Sequence, residues 1–379
     1  MFRHVNIRIN MKINFALFCA LLALGVAFSR AGDEPLDPQN YQKLTEANNE
    51  FAFSLHRMLA GNKSANVFFS PFSISAALDM LLLGAKGSTA EELEVALGYK
   101  KADLKGDVIH ETSGKFLGDI LKSNQSDAGY VLNSANAVVV DARKELTAEF
   151  EDKVKQLYQA NVQKADFAKD SSKTVKEIND WVVEKTEGKI TDLVQDLDPA
   201  TVAILMNAVY FKGTWKHQFN EQNTRDEIFY NHGDLSQEKQ VPFMIMSANV
   251  GTARLEHVNV LELPKLKKDR IEVMLPKFKL EYGKELTKEL QALGAKGIFA
   301  SGADFSGMTS DKDMFVSEIL HKATIEVNEK GSEAAAGTRV ATTRTMPARF
   351  KADHPFLFAV VRKSGDGYFV LFLGCVKSF

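Results

Sequence analysis

The sequence predicts an α+β fold built as one domain, and three observations carry that expectation. From Tyr41 to Leu193 apolar residues recur mainly with helical spacing, broken by short strand-like runs. From Ala200 onward strand-like runs dominate. The two kinds of segment do not alternate regularly, which separates the chain from a doubly wound parallel sheet. No internal repeat, low-complexity tract or Pro/Gly-rich linker marks a boundary, so residues 32–379 read as a single domain.

In chain order, the first segment is unlike the rest. Arg3, Arg8 and Lys12 precede an apolar run from Phe15 to Phe28, and small or polar residues follow at Ser29–Gly32. Basic, apolar and small in that order is the layout of an export signal, so residues 1–31 are expected to be removed and the mature chain secreted. A start at Met11 would leave the same layout. The apolar run is short beside the roughly 20 residues of a membrane span, so no membrane attachment is expected. Further on, Ser88-Thr89-Ala90-Glu91 reads as a capping box, with Leu93, Ala96 and Leu97 as its apolar stripe and Gly98 as the stop. Ser172 reads as the cap of a helix whose Val175, Ile178 and Val182 share one face and which ends near Gly188. Strands are expected at Val202–Phe211, Val258–Leu263, Ile271–Leu275, Ala323–Val327, Phe356–Val361 and Tyr368–Leu373. The last two flank Ser364-Gly365-Asp366-Gly367, a hairpin signal.

Composition excludes more than it selects. With 45% hydrophobic and 25% charged residues among 379, the chain has enough apolar material for a large core. A formal net charge of -2 leaves no basic excess for phosphate neutralisation, so the expected partner is a protein and not a nucleic acid. Cys19 lies in the segment expected to be removed, which leaves Cys375 alone in an apolar stretch, as a buried thiol with no disulfide to form. Asn62-Lys63-Ser64 and Asn124-Gln125-Ser126 are glycosylation sequons suited to an exported chain. No zincin helix, paired-cysteine motif, nucleophile elbow, dinucleotide fingerprint or P-loop occurs. The eight histidines have no metal-ligand spacing, so no catalytic residue, metal or cofactor is expected, and the protein does not read as an enzyme.

The informative segment is residues 329–349, a long connection between two strands. Read with a period of 2, Ser332, Ala334, Ala336, Thr338, Val340 and Thr342 fall on one face and are small or weakly apolar, while Glu333, Gly337 and Arg339 fall on the other. Such a loop can become a strand with one face buried. A pliable surface loop explains the same residues equally well.

The rest of the chain resembles a serpin over nearly all of residues 32–379. The matching motifs, in order, are Asn66-Val67-Phe68-Phe69-Ser70-Pro71-Phe72-Ser73-Ile74, Asn207-Ala208-Val209-Tyr210-Phe211-Lys212-Gly213-Thr214-Trp215 and Phe350-Lys351-Ala352-Asp353-His354-Pro355-Phe356. Shorter matches are Ile178–Val182 with Thr186–Ile190, Gly302–Gly307, and His321-Lys322-Ala323. The resemblance implies a serpin fold with a helix-rich N-terminal half, large mixed sheets and an exposed reactive-centre loop. It also implies a suicide inhibitor: a serine protease acylates itself on the loop, and the cut loop then inserts into a sheet as a new strand. The hinge it implies comprises Glu329, Gly331, Ser332, Ala334, Ala335, Ala336, Gly337 and Thr338. Ser70, Ser73, Asn207 and His321 match the polar cluster beneath the point where the sheet opens, and Trp215 matches the tryptophan where the loop enters. The usual loop length counted from Glu329 gives a scissile bond at Thr345-Met346, and one residue fewer gives Arg344-Thr345. Arginine suits the acidic specificity pocket of a trypsin-like protease, so Arg344 and Thr345 are the expected reactive pair and a trypsin-like protease the expected covalent partner of a monomeric inhibitor.

One stretch departs from the family. After Val260-Leu261-Glu262-Leu263-Pro264, only Lys265–Arg270 precede the strand beginning at Ile271, where the family has about thirty residues more, a strand and two short helices. Part of the second sheet is therefore expected to be missing, which leaves unpaired backbone groups unless the fold closes by an unusual repair or the sequence is a truncated variant.

Overall fold

The computed structural model describes residues 19–26, 37–61, 65–123, 130–213, 215, 218–255, 258–261, 268–330, 348–365 and 367–379. Its elements run in the order β1 (Cys19–Val26), α1 (Pro38–Leu59), β2 (Val67–Phe69), α2 (Pro71–Gly84), α3 (Gly87–Ala96), α4 (Tyr99–Ala102), α5 (Asp107–Ser123), β3 (Tyr130–Asp141), α6 (Ala148–Tyr158), β4 (Asn161–Ala165), α7 (Ser171–Lys185) and β5 (Ala203–Gly213). There follow β6 (Arg225–Tyr230), β7 (Glu238–Leu255), β8 (Val258–Leu261), β9 (Lys268–Pro276), β10 (Phe278–Glu285), α8 (Thr287–Ala292), β11 (Glu318–Val327), β12 (Ala348–Lys351), β13 (Phe356–Ser364) and β14 (Gly367–Val376). Helices thus crowd the first half and strands the second, as the α+β reading requires.

Two sheets organise the molecule. The first has the order β10-β11-β5-β3-β4, and the second β12-β9-β7-β8-β1-β13-β14-β2 with β6 on the side of β7. Helix α2 lies between them and packs against β5 of the first and β14 of the second. Its residues are buried nearly all round, as suits a helix without a polar face. Ser70 starts it: the Ser70 Oγ accepts from the Ser73 N–H at 3.1 Å, and Pro71 takes the first helical position, where no N–H is missed. Aromatic rings complete the link between sheets, with Phe211 of β5 and Phe372 of β14 at 5.1 Å between ring centroids. Among the described residues the tightest ring contact is Phe116 on Phe369, at 4.3 Å.

Local expectations fare unevenly. Gly98 does end α3, with φ of 78°, where a side chain would also press on the backbone of Ala47. The capping box at Ser88 does not form. The helix starts at Gly87 with no side-chain cap, so Ser88 stands inside it, and the neighbouring Thr89 Oγ1 accepts from the Asp304 N–H at 2.9 Å. Helix α7 is capped by Asp170, whose carboxylate accepts from the Lys173 N–H at 3.0 Å, so Ser172 stands inside the helix. Ile178 and Val182 are its buried stripe, with Val175 packed at the edge. The hairpin of β13 and β14 closes with Ser364 paired to Gly367 and with Gly365 at φ of 54°. Cys375 is buried in β14 and forms no disulfide.

The expected hole in the second sheet is not an open edge. β1 lies between β8 and β13 and pairs with both.

Candidate functional site

The first sheet has a parallel seam. β5 and β11 pair in parallel from Ile204 opposite Glu318 to Phe211 opposite Ile325, while β5 pairs antiparallel with β3 on one side and β11 antiparallel with β10 on the other. A strand entering the seam in the opposite direction would pair antiparallel with both walls, exchanging one slanted parallel ladder for two antiparallel ones. The chain leaving β11 at Val327 needs only to turn back to run in that direction.

The turn after β11 is held firmly. The Trp215 Nε1–H donates to the Asn328 carbonyl at 2.7 Å, and the Trp215 ring meets Phe219 edge-on at 5.2 Å. Glu329 follows, only 4% exposed although charged. Its carboxylate accepts from the Thr224 Oγ1–H at 2.8 Å and pairs with the Lys277 ammonium at 2.9 Å. Burial pushes the Glu329 pKa up, but the bonds from Lys277 and Thr224 outweigh it and hold the carboxyl below its ordinary range. Asn328 braces the turn by donating to the Glu326 carboxylate at 2.6 Å and accepting from the Lys330 N–H at 3.1 Å. At the far end of the loop, Arg349 is drawn into β12, where its Nε donates to Glu272 of β9 at 2.5 Å.

Beneath the seam lies a line of polar side chains. His321 of β11 stands opposite Asn207 of β5, and Asn207 stands opposite Asn136 of β3. The His321 Nδ1–H donates to the Asn207 Oδ1 at 2.6 Å, and the Asn207 Nδ2 donates to Asn136 Oδ1, to Ser73 Oγ and to the Ser73 carbonyl at 3.2 Å. The His321 Nε2 accepts from the Ser70 N–H at 3.4 Å, and the Ser70 Oγ–H donates to the Leu371 carbonyl at 2.8 Å. This bonding defines a neutral imidazole with its proton on Nδ1. Burial alone pushes the His321 pKa down to about 3.

The four residues expected to cluster, Ser70, Ser73, Asn207 and His321, are brought together, and all are buried. Trp215 and Glu329 are brought to the root of the loop. Gly331, Ser332, Ala334, Ala335, Ala336, Gly337, Thr338, Arg344 and Thr345 lie outside the described residues, as do the sequon residues Asn62 and Asn124. Asn136, Thr224 and Lys277 were not among the residues expected. Nothing local marks them, because each joins the site through strand register or through a contact distant in sequence. Among the described residues no group of histidine, cysteine and carboxylate side chains could hold a metal ion, and no helix is long and apolar enough to cross a membrane.

Two sheets lie on either side of the buried helix α2, and one of them carries the parallel seam of β5 and β11 above its line of buried polar side chains. The chain belongs to the serpin (serine protease inhibitor) family, whose model matches residues 46–269 and 264–378. The two matched segments meet where the sequence is short of the family. Human Serpin B8 is 37% identical over 365 residues, covering 84% of this chain and 95% of its own. The leukocyte elastase inhibitor of Sus scrofa is 33% identical over 385 residues, covering 89% of this chain and all of its own. Among solved structures, human thyroxine-binding globulin in complex with thyroxine superposes with a TM-score of 0.78 at 29% identity, covering 89% of this chain and 99% of its own.

Proposed function

We propose that this serpin is a covalent-trapping inhibitor of a trypsin-like serine protease, with Arg344-Thr345 as its reactive bond. The observation that carries the proposal is the parallel seam of β5 and β11, continued at its end by the loop and therefore able to take that loop back as an antiparallel strand. The protease serine hydroxyl attacks the Arg344 carbonyl, the Arg344-Thr345 bond breaks, and the new Thr345 amine leaves with a proton. Arg344 is then joined to the protease as an ester. Insertion of residues N-terminal to Arg344 carries that ester away from the loop's starting point before water can hydrolyse it. The protein in this reading is a suicide substrate and not a catalyst. The name of the leukocyte elastase inhibitor among its relatives supports inhibition. Trypsin-like preference rests on the arginine alone.

Each ladder hydrogen bond gained on insertion contributes about 0.5 to 1.5 kcal/mol, and about a dozen of them make the loop-out state a kinetic trap. Incubation with trypsin at equal molarity tests the proposal. A heavy band stable to SDS, with a released peptide beginning at Thr345, is the expected result; complete cleavage with no heavy band would overturn it.

A second reading is a serpin that inhibits nothing and is cut as a plain substrate. The shortfall after Pro264 favours it, as does the structural likeness to thyroxine-binding globulin, whose solved structure is a ligand complex. Export is a separate proposal, resting on the layout of residues 1–31, and amino-terminal sequencing of the protein recovered from culture medium tests it.

A further inference from the structure

The second sheet is continuous because a segment from the far N-terminus lies inside it. β1 runs parallel to both of its neighbours: Leu21 stands opposite Val260 on one side and Leu357 on the other, and Leu22 opposite Leu261 and Phe358. Among the described residues β8 and β13 do not pair with each other. Taken without β1, the sheet falls into one piece of β12, β9, β7 and β8 with β6, and another of β13, β14 and β2. The backbone of β13 from Leu357 to Arg362 and of β8 from Val258 to Leu261 would then lose a ladder. The β13 edge is not a surface that tolerates this, because Phe356, Phe358 and Val360 are buried in the core.

The connection from β8 to β9 is too short to supply a strand for the place. Only residues 262–267 stand between the end of β8 and the start of β9, fewer than an ordinary strand with a turn at each end requires. A strand held between two others must be extended, apolar and free of proline. Cys-Ala-Leu-Leu-Ala-Leu-Gly-Val, residues 19–26, has that composition.

We propose that the interval between β8 and β13 is a strand-binding site and that its occupant is the chain's own segment Cys19–Val26. The same residues form the apolar run of the export signal. Within one molecule, removal of residues 1–31 and a closed second sheet therefore exclude each other: the unprocessed chain fills the site, and processing vacates it. This proposal does not rest on inhibition, and its test involves no protease.

The test is hydrogen–deuterium exchange on the full chain, produced without export and with its N-terminus verified by intact mass. Amides of residues 19–26 should be protected to the same degree as those of β8 and β13, in a monomer isolated by size exclusion. Leu22→Pro, which removes a backbone donor and breaks the ladder at a position facing both neighbours, should speed exchange in β8 and β13 at least about tenfold while leaving β5 and β11 unchanged. Asn14→Pro, outside the strand, serves as the control and should change neither. Free exchange of residues 19–26 beside a protected β13 would overturn the proposal. So would protection found only in a dimer fraction, which would make the occupant a second copy's segment, or a Leu22→Pro chain whose β8 and β13 exchange as before.

Discussion

The His321 imidazole donates to the Asn207 amide oxygen at 2.6 Å across the line along which β11 and β5 meet. The bond spans the place that an inserting strand would have to part. It is one member of a fully bonded buried group, so its loss leaves polar atoms without partners.

Asn207→Ala is accordingly expected to lower stability by about 1 to 3 kcal/mol, because it strands the His321 Nδ1–H in the interior and takes the donor from Asn136 Oδ1. A urea melt checks this, and a midpoint equal to that of the parent chain would show that the bond does not hold the seam.

The same histidine gives the protein an acid dependence of definite sign. His321 has its pKa held down at about 3 in the fold against 6.5 as an ordinary group, so the unfolded chain takes up its proton first as pH falls. The stabilisation is fully present above pH 6.5 and is lost progressively as pH falls toward 3. His56 and His110, both lowered to about 4 by burial, act in the same sense, while Asp79, raised to about 7 by burial, acts in the opposite one between about pH 4 and 7. The isolating measurement is His321→Gln. Between about pH 6 and 4 its stability should fall less steeply than the parent's, by about 1.4 kcal/mol per pH unit. Equal slopes would mean that His321 titrates normally.

The root of the loop is held by one buried carboxylate. Glu329→Gln keeps the shape but gives up the charge that pairs with Lys277, and it should cost about 1 to 3 kcal/mol at neutral pH. Because the Glu329 pKa is lowered in the fold, that contribution is present above about pH 4.5 and lost as pH falls below it, so parent and variant should converge in acid. Melting curves at neutral pH and at about pH 4 compare them. A gap as wide in acid as at neutrality would count against the pairing.

Inhibition should depend on two loop positions in different ways. Arg344→Ala should abolish the heavy band with trypsin by removing the residue its specificity pocket accepts. Ala336→Asp should leave Arg344 cleavable yet give cut protein with no heavy band, because a charge on the face that turns inward resists insertion. Stoichiometry titrations distinguish the two, and an Ala336→Asp chain that still traps protease at equal molarity would rule out insertion by this face.

A cut loop that inserts should also raise the melting temperature, read by heating the trypsin-nicked chain beside the intact one. Each 1 kcal/mol gained moves the midpoint by about 1 to 2 °C in a domain of roughly 350 residues, so a full strand of about a dozen ladder bonds implies a rise of about 10 °C or more. No rise would place the protein among plain substrates.

The sequence by itself determined the α+β class, because periodicity is local: the helix face of Ile178 and Val182, the stop at Gly98 and the hairpin at Ser364 to Gly367 each announce themselves in a few neighbouring residues. It also determined which residues would gather at the seam, since Ser70, Ser73, Asn207 and His321 stand in motifs whose resemblance to a family is specific. Tertiary structure alone decided the rest. That Thr89 holds Asp304, and that Asn136, Thr224 and Lys277 join the site, depends on strand register and on contacts between segments far apart in the chain. The same is true of Cys19–Val26. Its composition suits an export signal and a buried strand equally, since both demand apolar residues without charge or proline. Only the facing edges of β8 and β13, which pair with it and not with each other, give it a place in the second sheet.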